Sequence, residues 1–218
     1  MARRAISRAK ARAPLSRDAV LRTAIQIADR EGIDAVTMRR LGDELGVEAM
    51  SLYHHVQGKG EVVAGMVDTL IGGIPLPPPA ASWKTTIRDR SMAAREHLAP
   101  HEWARALIGT RRGPSAATLH HIDWVVGVLR EGGLSPALVH SAVHLLGSRM
   151  FGFTDEAFSE APRPEEGKAL NALVRSGDYP GLTTAMKGVH HDDEREFAFG
   201  LDLILDGLER ASRAGPRH

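Results

Sequence analysis

The chain has 218 residues, no cysteine and a formal net charge of +1, with 11 Lys or Arg against 7 Asp or Glu in residues 1–59. The lack of cysteine excludes disulfides and thiolate metal sites, and no apolar run approaches the ~20 residues that a membrane span needs. The N-terminus lacks the hydrophobic stretch of a signal peptide, so we expect a cytoplasmic protein without a membrane partner, built from one small and one larger domain.

The first 14 residues are basic, contain no acid and have few large apolar side chains. Such a segment cannot bury enough surface to order itself, so we expect a flexible cationic arm over residues 1–14. Either the arm follows phosphates or enters the minor groove of a nucleic acid, or it is a solvated tail. Its charges belong to Arg3, Arg4, Arg8, Lys10 and Arg12.

Two helices are predicted between residues 16 and 45, each with a polar cap and a glycine stop. Ser16 is a good N-cap for an apolar stripe that ends at Gly32. Thr37 caps the second helix, and Gly46 supplies the backbone freedom to stop it and turn. The apolar positions are Val20, Leu21, Ala24, Ile25 and Ala28 in the first helix and Met38, Leu41 and Leu45 in the second.

A third short helix follows the turn. Leu52 and Val56 are four residues apart and give it a buried side, over which Val47 closes the turn. The remaining side chains are small, hydroxyl, aromatic or imidazole groups, which suit the edges and backbone of a DNA major groove. They belong to Ala49, Met50, Ser51, Tyr53, His54 and His55. Two helices at a tight turn are the layout of a DNA-reading helix-turn-helix.

The segment from Leu15 to Leu70 resembles the N-terminal domain of the tetracycline-repressor (TetR) family. The resemblance lies in AIQIADREGIDAVTMRRLGDELGV and MSLYHHVQGKGEVVAGMVD, most specifically in the run from Leu52 to Val56 with Lys59 behind it. Farther on, ALIGTRRGP (106–114) and FAFGLDLILDGLER (197–210) resemble the regulatory domain of the tetracycline repressors. The resemblance implies a transcriptional regulator that is not an enzyme and has no cofactor. Residues 15–60 would bind DNA, and residues 61–218 would bind a ligand and dimerise.

Nine residues are expected to contact DNA. Tyr53 and Lys59 should anchor phosphates, because a phenol and a lysine beside the reading helix reach the backbone more readily than base edges. Arg39 matches a family position near the major groove and should set sequence preference with the third helix; alternatively it is a solvated surface arginine. The predicted DNA-contacting residues are Thr37, Arg39, Ala49, Met50, Ser51, Tyr53, His54, His55 and Lys59.

From Leu70 onward the sequence predicts helices and no strand. A fourth helix from Glu61 to Ile71 ends at IGGIPLPPPAAS (71–82), because the prolines cannot continue it. The predicted fold is all-α, a three-helix DNA-binding domain joined to a larger helical regulatory and dimerisation domain. The acidic, proline-interrupted segment 154–168 is expected to be mobile. The later predicted helices cover 83–98, 101–107, 115–131, 136–153, broken pieces between 168 and 189, and 193–212.

Two of these helices carry apolar stripes wider than one core-facing side requires. Paired with their copies from a second subunit, helices 136–153 and 193–212 would form a four-helix interface in a homodimer, with Leu146 and Leu205 facing the partner. The alternative is that both are fully buried core helices. In TetR-like proteins the corresponding helices build the dimer, which favours the interface.

The eleven histidines raise the alternative of a small helical metal-dependent enzyme. Adjacent pairs such as His120 and His121 point about 100° apart on a helix and cannot easily chelate one ion. His140 and His144 have the i, i+4 spacing of helical zinc sites, but no Glu lies between them as in HExxH. No glycine-rich phosphate loop or nucleophile elbow is present. We therefore predict neither a metal site nor catalysis.

An effector site is predicted in the C-terminal region. In tetracycline repressors the Gly-Thr-Arg segment lies on the drug pocket, and a histidine three residues before the threonine ligates magnesium. Here that position is Leu107, which has no lone pair for a metal, so we expect an apolar or amphipathic organic effector bound without metal. Helical bundles place such pockets between helices. The predicted residues are Thr110, Arg111, Trp103, Leu107, His120, Trp124, His144 and Met150, with His97 as a further polar point.

Overall fold

This computed structural model describes residues 14–78, 80–110, 115–151, 178, 180–181 and 192–214. Over these ranges the fold is all-α, which confirms the predicted fold class. No helix in them is long and apolar enough to cross a membrane. The helices of the described residues are α1 (Arg17–Glu31), α2 (Met38–Leu45), α3 (Ala49–Leu52), α4 (Lys59–Gly73), α5 (Trp83–Leu98), α6 (Glu102–Thr110), α7 (Ala116–Glu131), α8 (Pro136–Phe151) and α9 (Asp193–Ala214), and a 3-10 turn lies at Ile33–Ala35.

Polar caps begin the first helices where the sequence predicts them. Ser16 Oγ accepts a hydrogen bond from the Ala19 amide at 3.2 Å, and Thr37 Oγ1 accepts one from the Arg40 amide at 3.1 Å. Each bond satisfies an amide that the first turn of a helix leaves without a partner. Gly46 ends α2 in the left-handed conformation (φ 61°), which favours glycine.

Helices α1 to α3 and one face of α4 form the N-terminal bundle. Leu41 of α2, Leu52 of α3 and Val62 of α4 are fully buried in its core. Gly42 permits the close approach of α2 and α3, because a Cβ at this position would lie 2.8 Å from the carbonyl oxygen of Val47. The two helices are thus held at a fixed distance across the turn.

Helix α4 contributes to two cores through different faces. Val62, Met66 and Leu70 pack in the core of the N-terminal bundle. Val67 and Ile71 instead pack against α5, α6 and α8 of the C-terminal bundle, which comprises α5 to α9. Leu70 and Ile71 are neighbours in sequence, so one turn of α4 is shared by the two bundles.

The C-terminal bundle is built around α5, α7, α8 and α9. Its core contains Leu129, Leu201 and Leu205, each fully buried. On the surface Lys84 of α5 forms ion pairs with Asp206 and Glu209 of α9. A second pair, between Arg88 Nε and Asp202 Oδ1 at 2.7 Å, also joins α5 to α9.

Two buried leucines correct the predicted faces of α8 and α9. Leu146 is 6% exposed and Leu205 is fully buried within the single chain, so neither faces outward as predicted. Among the described side chains of these helices, the large apolar ones that are exposed are Leu145, Phe199 and Leu203, at 48%, 65% and 53%.

Most predicted helix positions agree with the structure to within a few residues, and α3 differs most. It ends at Leu52, and residues 53–55 form a turn in which the His55 and Val56 amides both donate to the Leu52 carbonyl. The predicted segment 154–168, most of the helical pieces between 168 and 189, and residues 1–13 of the arm lie outside the described residues.

Candidate nucleic-acid interface and ligand cavity

The side chains around α3 form an exposed face above the buried Leu52 and Val56. Met50 is 71% exposed and Tyr53 is 48% exposed, although both are large and largely apolar. Thr37, Arg39, His54 and Lys59 are also exposed, whereas Ala49, Ser51 and His55 are half-buried. Exposed residues from α2, α3, the following turn and the start of α4 therefore surround one short helix, which suits contact with an extended partner.

The two arginines at the start of α2 differ in their partners. Arg40 donates to Glu31 of α1 at 2.8 Å and also pairs with Glu44 of α2. These hydrogen bonds lower the pKa of both carboxyls and raise the pKa of Arg40. Arg39 is exposed beside it. Arg40 is thus a structural link between α1 and α2, and Arg39 remains accessible to a bound molecule.

The turn that leads into α4 is fixed by a carboxylate. Glu61 Oε2 accepts a hydrogen bond from the Gln57 amide at 2.7 Å, and Glu61 Oε1 lies 3.3 Å from Arg17 Nε of α1. The Gln57 bond is the main cause that lowers the pKa of Glu61, and Arg17 adds to it. The first residue of α4 is Lys59, whose exposed ammonium is therefore carried on an anchored turn.

A cavity of about 290 Å³ lies in the C-terminal bundle. Its walls come from five helices and are mainly aliphatic. Four polar side chains interrupt them: Arg90 and Ser91 of α5, and Thr118 and His121 of α7. An apolar chamber with a few placed polar groups is typical of small-molecule sites. The aliphatic walls are Ile71 of α4, Ile87 and Ala94 of α5, Ile108 of α6, Ile122 and Val125 of α7, and Val143, Leu146, Gly147 and Met150 of α8.

Arg90 is the most unusual wall residue, because it is a charged side chain only 6% exposed. Its Nη1 donates to the carbonyl oxygens of Ile74 and Pro75 at 2.7 and 2.5 Å. The guanidinium also lies over the ring of Trp124, 5.2 Å from the centroid. Burial lowers the pKa of Arg90, but an arginine in a protein stays protonated at neutral pH. The cavity thus contains a buried positive charge.

His121 completes the polar corner. Its Nδ1 lies 3.1 Å from Nη2 of Arg90 and accepts the hydrogen bond, since an arginine can only donate. Burial, and to a lesser extent the Arg90 charge, lowers the pKa of His121 from 6.5 to about 4. The imidazole is therefore neutral at physiological pH.

The structure brings few of the sequence-predicted effector residues to this cavity. Met150 lines the cavity, and the ring of Trp124 packs against the guanidinium of Arg90. Leu107 packs in the small core around Ile71. Thr110 ends α6, but its side chain and the whole of Arg111 lie outside the described part of the chain.

Three of the predicted effector positions lie away from this cavity. His120 and His144 are exposed and do not line the cavity, because neighbouring positions turn inward on α7 and α8. Trp103 does not line it either and packs against both the N-terminal core and the small core around Ile71. Sequence reasoning missed Arg90 and His121. The signal for Arg90 was available, since it interrupts the apolar helical spacing of Ile87, Ala94 and Leu98 on α5.

A polar junction joins the two bundles beside α4. Asp29 of α1 accepts hydrogen bonds from Trp103 Nε1 at 2.7 Å and from His101 Nδ1 at 2.8 Å. His97 Nε2 of α5 donates to the Leu70 carbonyl of α4 at 3.0 Å. The predicted polar point His97 therefore holds the end of α4 and is not a wall of the cavity.

Within the described ranges no group of three or more His, Asp or Glu side chains could hold a metal ion. His140 and His144 stack edge to face with ring centroids 4.6 Å apart on the surface of α8. Two exposed imidazoles to which the described residues add no third ligand do not make the closed or open sites that zinc occupies.

Comparisons with known proteins match both halves of the chain. The family described as "Tetracyclin repressor-like, C-terminal domain" matches residues 75–212, and "Bacterial regulatory proteins, tetR family" matches residues 20–66. The repressor DrrR1 of Streptomyces coeruleorubidus is 34% identical over 89% of this chain and 77% of its own. The class C tetracycline repressor of Escherichia coli is 28% identical over 90% and 91%. The structure of ActR from Streptomyces coelicolor in complex with actinorhodin has a TM-score of 0.77 and 27% identity, over 93% of this chain and all of that one.

The helix-turn-helix, the exposed face above it and the separate ligand cavity define a ligand-responsive, DNA-binding transcriptional regulator. The chain belongs to the TetR family of bacterial regulatory proteins.

Proposed function

We propose that this chain is a homodimeric repressor that leaves a palindromic operator when a metal-free organic effector fills the cavity between α4 and α8. The observation that carries the proposal is the position of α4. Its Ile71 is a wall of the cavity, and the adjacent Leu70 lies in the same core as Leu52 of α3, the helix that we propose reads DNA. A ligand that alters the packing of Ile71 therefore acts on the helix that supports the DNA-binding bundle.

The exposed face around α3 is the surface that binds DNA in this proposal. Tyr53 and Lys59 bind phosphates, and Arg39 reads base edges together with α3 and His54. Thr37 and His55 flank this surface. In a dimer the two α3 helices lie about one duplex turn apart, ~34–36 Å, and so match the two halves of a palindromic operator. DNA-binding residues then extend from Thr37 to Lys59, with the larger domain beginning along α4.

The dimer forms through the exposed apolar residues of α8 and α9. Leu145, Phe199 and Leu203 leave large hydrophobic areas in water in a single chain. Burying them against a second copy removes that cost, at about 25 cal/mol per Å² of apolar surface. The symmetric pairing of two helices from each subunit gives a four-helix interface.

The effector shifts a population between two states of the dimer. If the effector binds better to a splayed or rotated state of the dimer, the affinity for DNA falls by the ratio of the effector's affinities for the two states. Leu107 stands where the tetracycline repressors place a magnesium-ligating histidine, which supports an effector that brings no metal. The structure of ActR in complex with actinorhodin supports a ligand-responsive regulator here. The protein acts in the cytoplasm, where its DNA lies, and has no enzymatic activity.

The test is a gel-shift assay with the DNA upstream of the protein's own gene. The purified protein should retard this fragment and not a scrambled one of equal length, and a panel of apolar organic compounds should contain some that abolish the shift. Tetracycline with magnesium serves as the contrasting compound. Tight tetracycline binding that a chelator reverses would contradict the metal-free effector, and failure to retard the upstream fragment would contradict repression at this site.

A further inference from the structure

The ligand cavity contains a positive charge that no acidic side chain of the described residues neutralises. Arg90 lines the cavity and is 6% exposed. No carboxylate of the described residues lies within salt-bridge distance of its guanidinium, whereas Arg88, two residues earlier on α5, pairs with Asp202. Buried charges in proteins are normally paired, because their removal from water is costly.

The neighbours of Arg90 satisfy only some of its hydrogen bonds. Nη1 donates to the Ile74 and Pro75 carbonyls, and Nη2 donates to His121. These acceptors are neutral. Buried Nε finds no acceptor among the described residues. A guanidinium has five N–H donors in a fork that matches the two oxygens of a carboxylate. The site therefore has donor capacity to spare as well as uncompensated charge.

The other described residues of the cavity wall add no negative charge. Its other polar groups are the hydroxyls of Ser91 and Thr118, and His121 is neutral because its pKa is lowered to about 4. Aliphatic side chains supply the remaining surface. A ligand that complements these walls needs an apolar body and one anionic group at the α5–α7 corner.

We infer that the effector is an organic anion, an apolar body bearing a carboxylate or a comparably acidic group that pairs with Arg90. This inference rests on the proposed function, since it names the chemical class that the effector cavity takes. The anion replaces the missing counter-charge of the guanidinium, and the apolar body fills the space between α5, α7 and α8. An uncharged analogue of the same shape keeps the apolar contacts but loses the ion pair.

Arg90 also connects the bound anion to α4. The guanidinium holds the carbonyls of Ile74 and Pro75, the two residues that follow the end of α4. An anion that pairs with Nε and the free Nη2 hydrogen leaves Nη1 on these carbonyls. One guanidinium then joins the effector to the residues that follow α4, the helix that both bundles share.

The experiment compares matched pairs of aromatic probes by quenching of tryptophan fluorescence and by calorimetry. The probes are 2-naphthoate and anthracene-2-carboxylate, each beside its primary carboxamide, which has nearly the same shape without the charge. We expect at least one carboxylate to bind the wild-type dimer ten or more times more tightly than its carboxamide. Equal affinities within both pairs, tighter carboxamides, or no binding by any of the four probes would overturn the inference.

Two arginine variants show whether the preference depends on Arg90. Arg90→Met should abolish the carboxylate preference and leave carboxamide binding within about threefold. Arg88→Met removes the same charge from the same helix outside the cavity and should keep the preference. The thermal transition shows whether Arg90→Met folds. If it does not, the probe pairs on the wild-type protein and on Arg90→Lys still test the carboxylate preference, because Lys keeps the charge and should retain part of that preference. A preference that Arg90→Met retains in full would contradict the pairing.

The same samples separate this inference from the proposed function. Operator retardation by the ligand-free protein tests DNA binding, and the probe pairs test only the charge of the ligand. A protein that retards its operator but binds acids and amides equally well retains the proposed function and loses the anionic effector.

Discussion

The indole Nε1 of Trp103 donates a 2.7 Å hydrogen bond to Asp29 Oδ1 and so links α6 of the C-terminal bundle to α1 of the N-terminal bundle. The same carboxylate oxygen accepts a bond from His101 Nδ1. Asp29 therefore accepts hydrogen bonds from two side chains at the start of α6 and holds the N-terminal bundle against the C-terminal bundle.

Asp29→Ala should loosen this junction. The substitution leaves two ring N–H donors without their acceptor, and for a partly exposed site we expect the free energy of unfolding to fall by about 1 kcal/mol. Denaturant unfolding measures this change. Asp34→Ala, which removes an exposed acid from the 3-10 turn of the same bundle, is the control and should change little. Equal stabilities of the two variants would show that the junction contributes nothing.

Lys59→Ala should weaken binding to operator and random DNA alike. A lysine that neutralises one phosphate releases about one counterion, so the slope of log affinity against log salt should flatten by about one unit. Fluorescence anisotropy over a salt series gives the slope. Lys84→Ala removes a lysine from α5, outside the proposed DNA-contacting residues 37–59, and should leave the slope unchanged. A normal slope in Lys59→Ala would remove this residue from the phosphate contacts.

Arg39→Ala should relax the choice of operator sequence. An arginine that binds a base edge contributes about 1–3 kcal/mol of discrimination, so mutated and native operators should differ less for the variant. Competition gel shifts measure the ratio. Arg40→Ala is the matched neighbour; because Arg40 pairs with Glu31 and Glu44, it should lower the melting temperature and preserve base preference. Unaltered discrimination and affinity in Arg39→Ala would assign Arg39 to the solvated surface.

Charges placed on α9 should have opposite effects at neighbouring positions. Leu203→Glu puts a carboxylate on a residue that is 53% exposed in the single chain, so the variant should fold and become monomeric. Leu205→Glu buries an unpaired charge in the core and should unfold the chain. Sedimentation velocity and circular dichroism distinguish the two results. A dimer that survives both Leu203→Glu and Phe199→Glu would place the interface elsewhere.

His121 should make the protein less stable in mild acid. Its pKa is about 4 in the folded chain against 6.5 for the ordinary group, so the unfolded chain binds the proton first as the pH falls. Stability from this group is complete above about pH 6.5 and declines as the pH falls towards 4. His121→Gln should flatten the dependence between these values in chemical unfolding. His120→Gln, at the exposed neighbouring position, should retain the wild-type slope; identical curves for all three proteins would contradict the effect.

The sequence was most informative where local chemistry decides the structure. The caps Ser16 and Thr37 and the stop at Gly46 are properties of short segments, and they predict α1 and α2 closely. The length of α3 was harder to predict, because Leu52 and Val56 keep their four-residue spacing and a connecting hydrogen bond although the helix ends between them. Residue spacing alone does not separate a short helix from a helix-like turn.

The interior of the C-terminal bundle could not be predicted to the same degree. Helices α8 and α9 are apolar on more than one face, so which leucines turn inward depends on the helices that surround them. Leu146 and Leu205 are buried for that reason, and Leu145 and Leu203 are exposed. The position of Arg90 was equally non-local, since an arginine usually extends to water, and its burial depends on carbonyls contributed by the end of α4.

The sharing of α4 limits where this regulator can acquire a new effector specificity. Changes at Ile71 alter the cavity and the support of the reading helix together, so an altered ligand range there brings altered control of DNA binding. Val125 of α7 and Val143 of α8 line the same cavity, and neither residue belongs to the core of the N-terminal bundle. Natural divergence, or the engineering of a biosensor from this chain, should therefore succeed more often through the walls on α7 and α8.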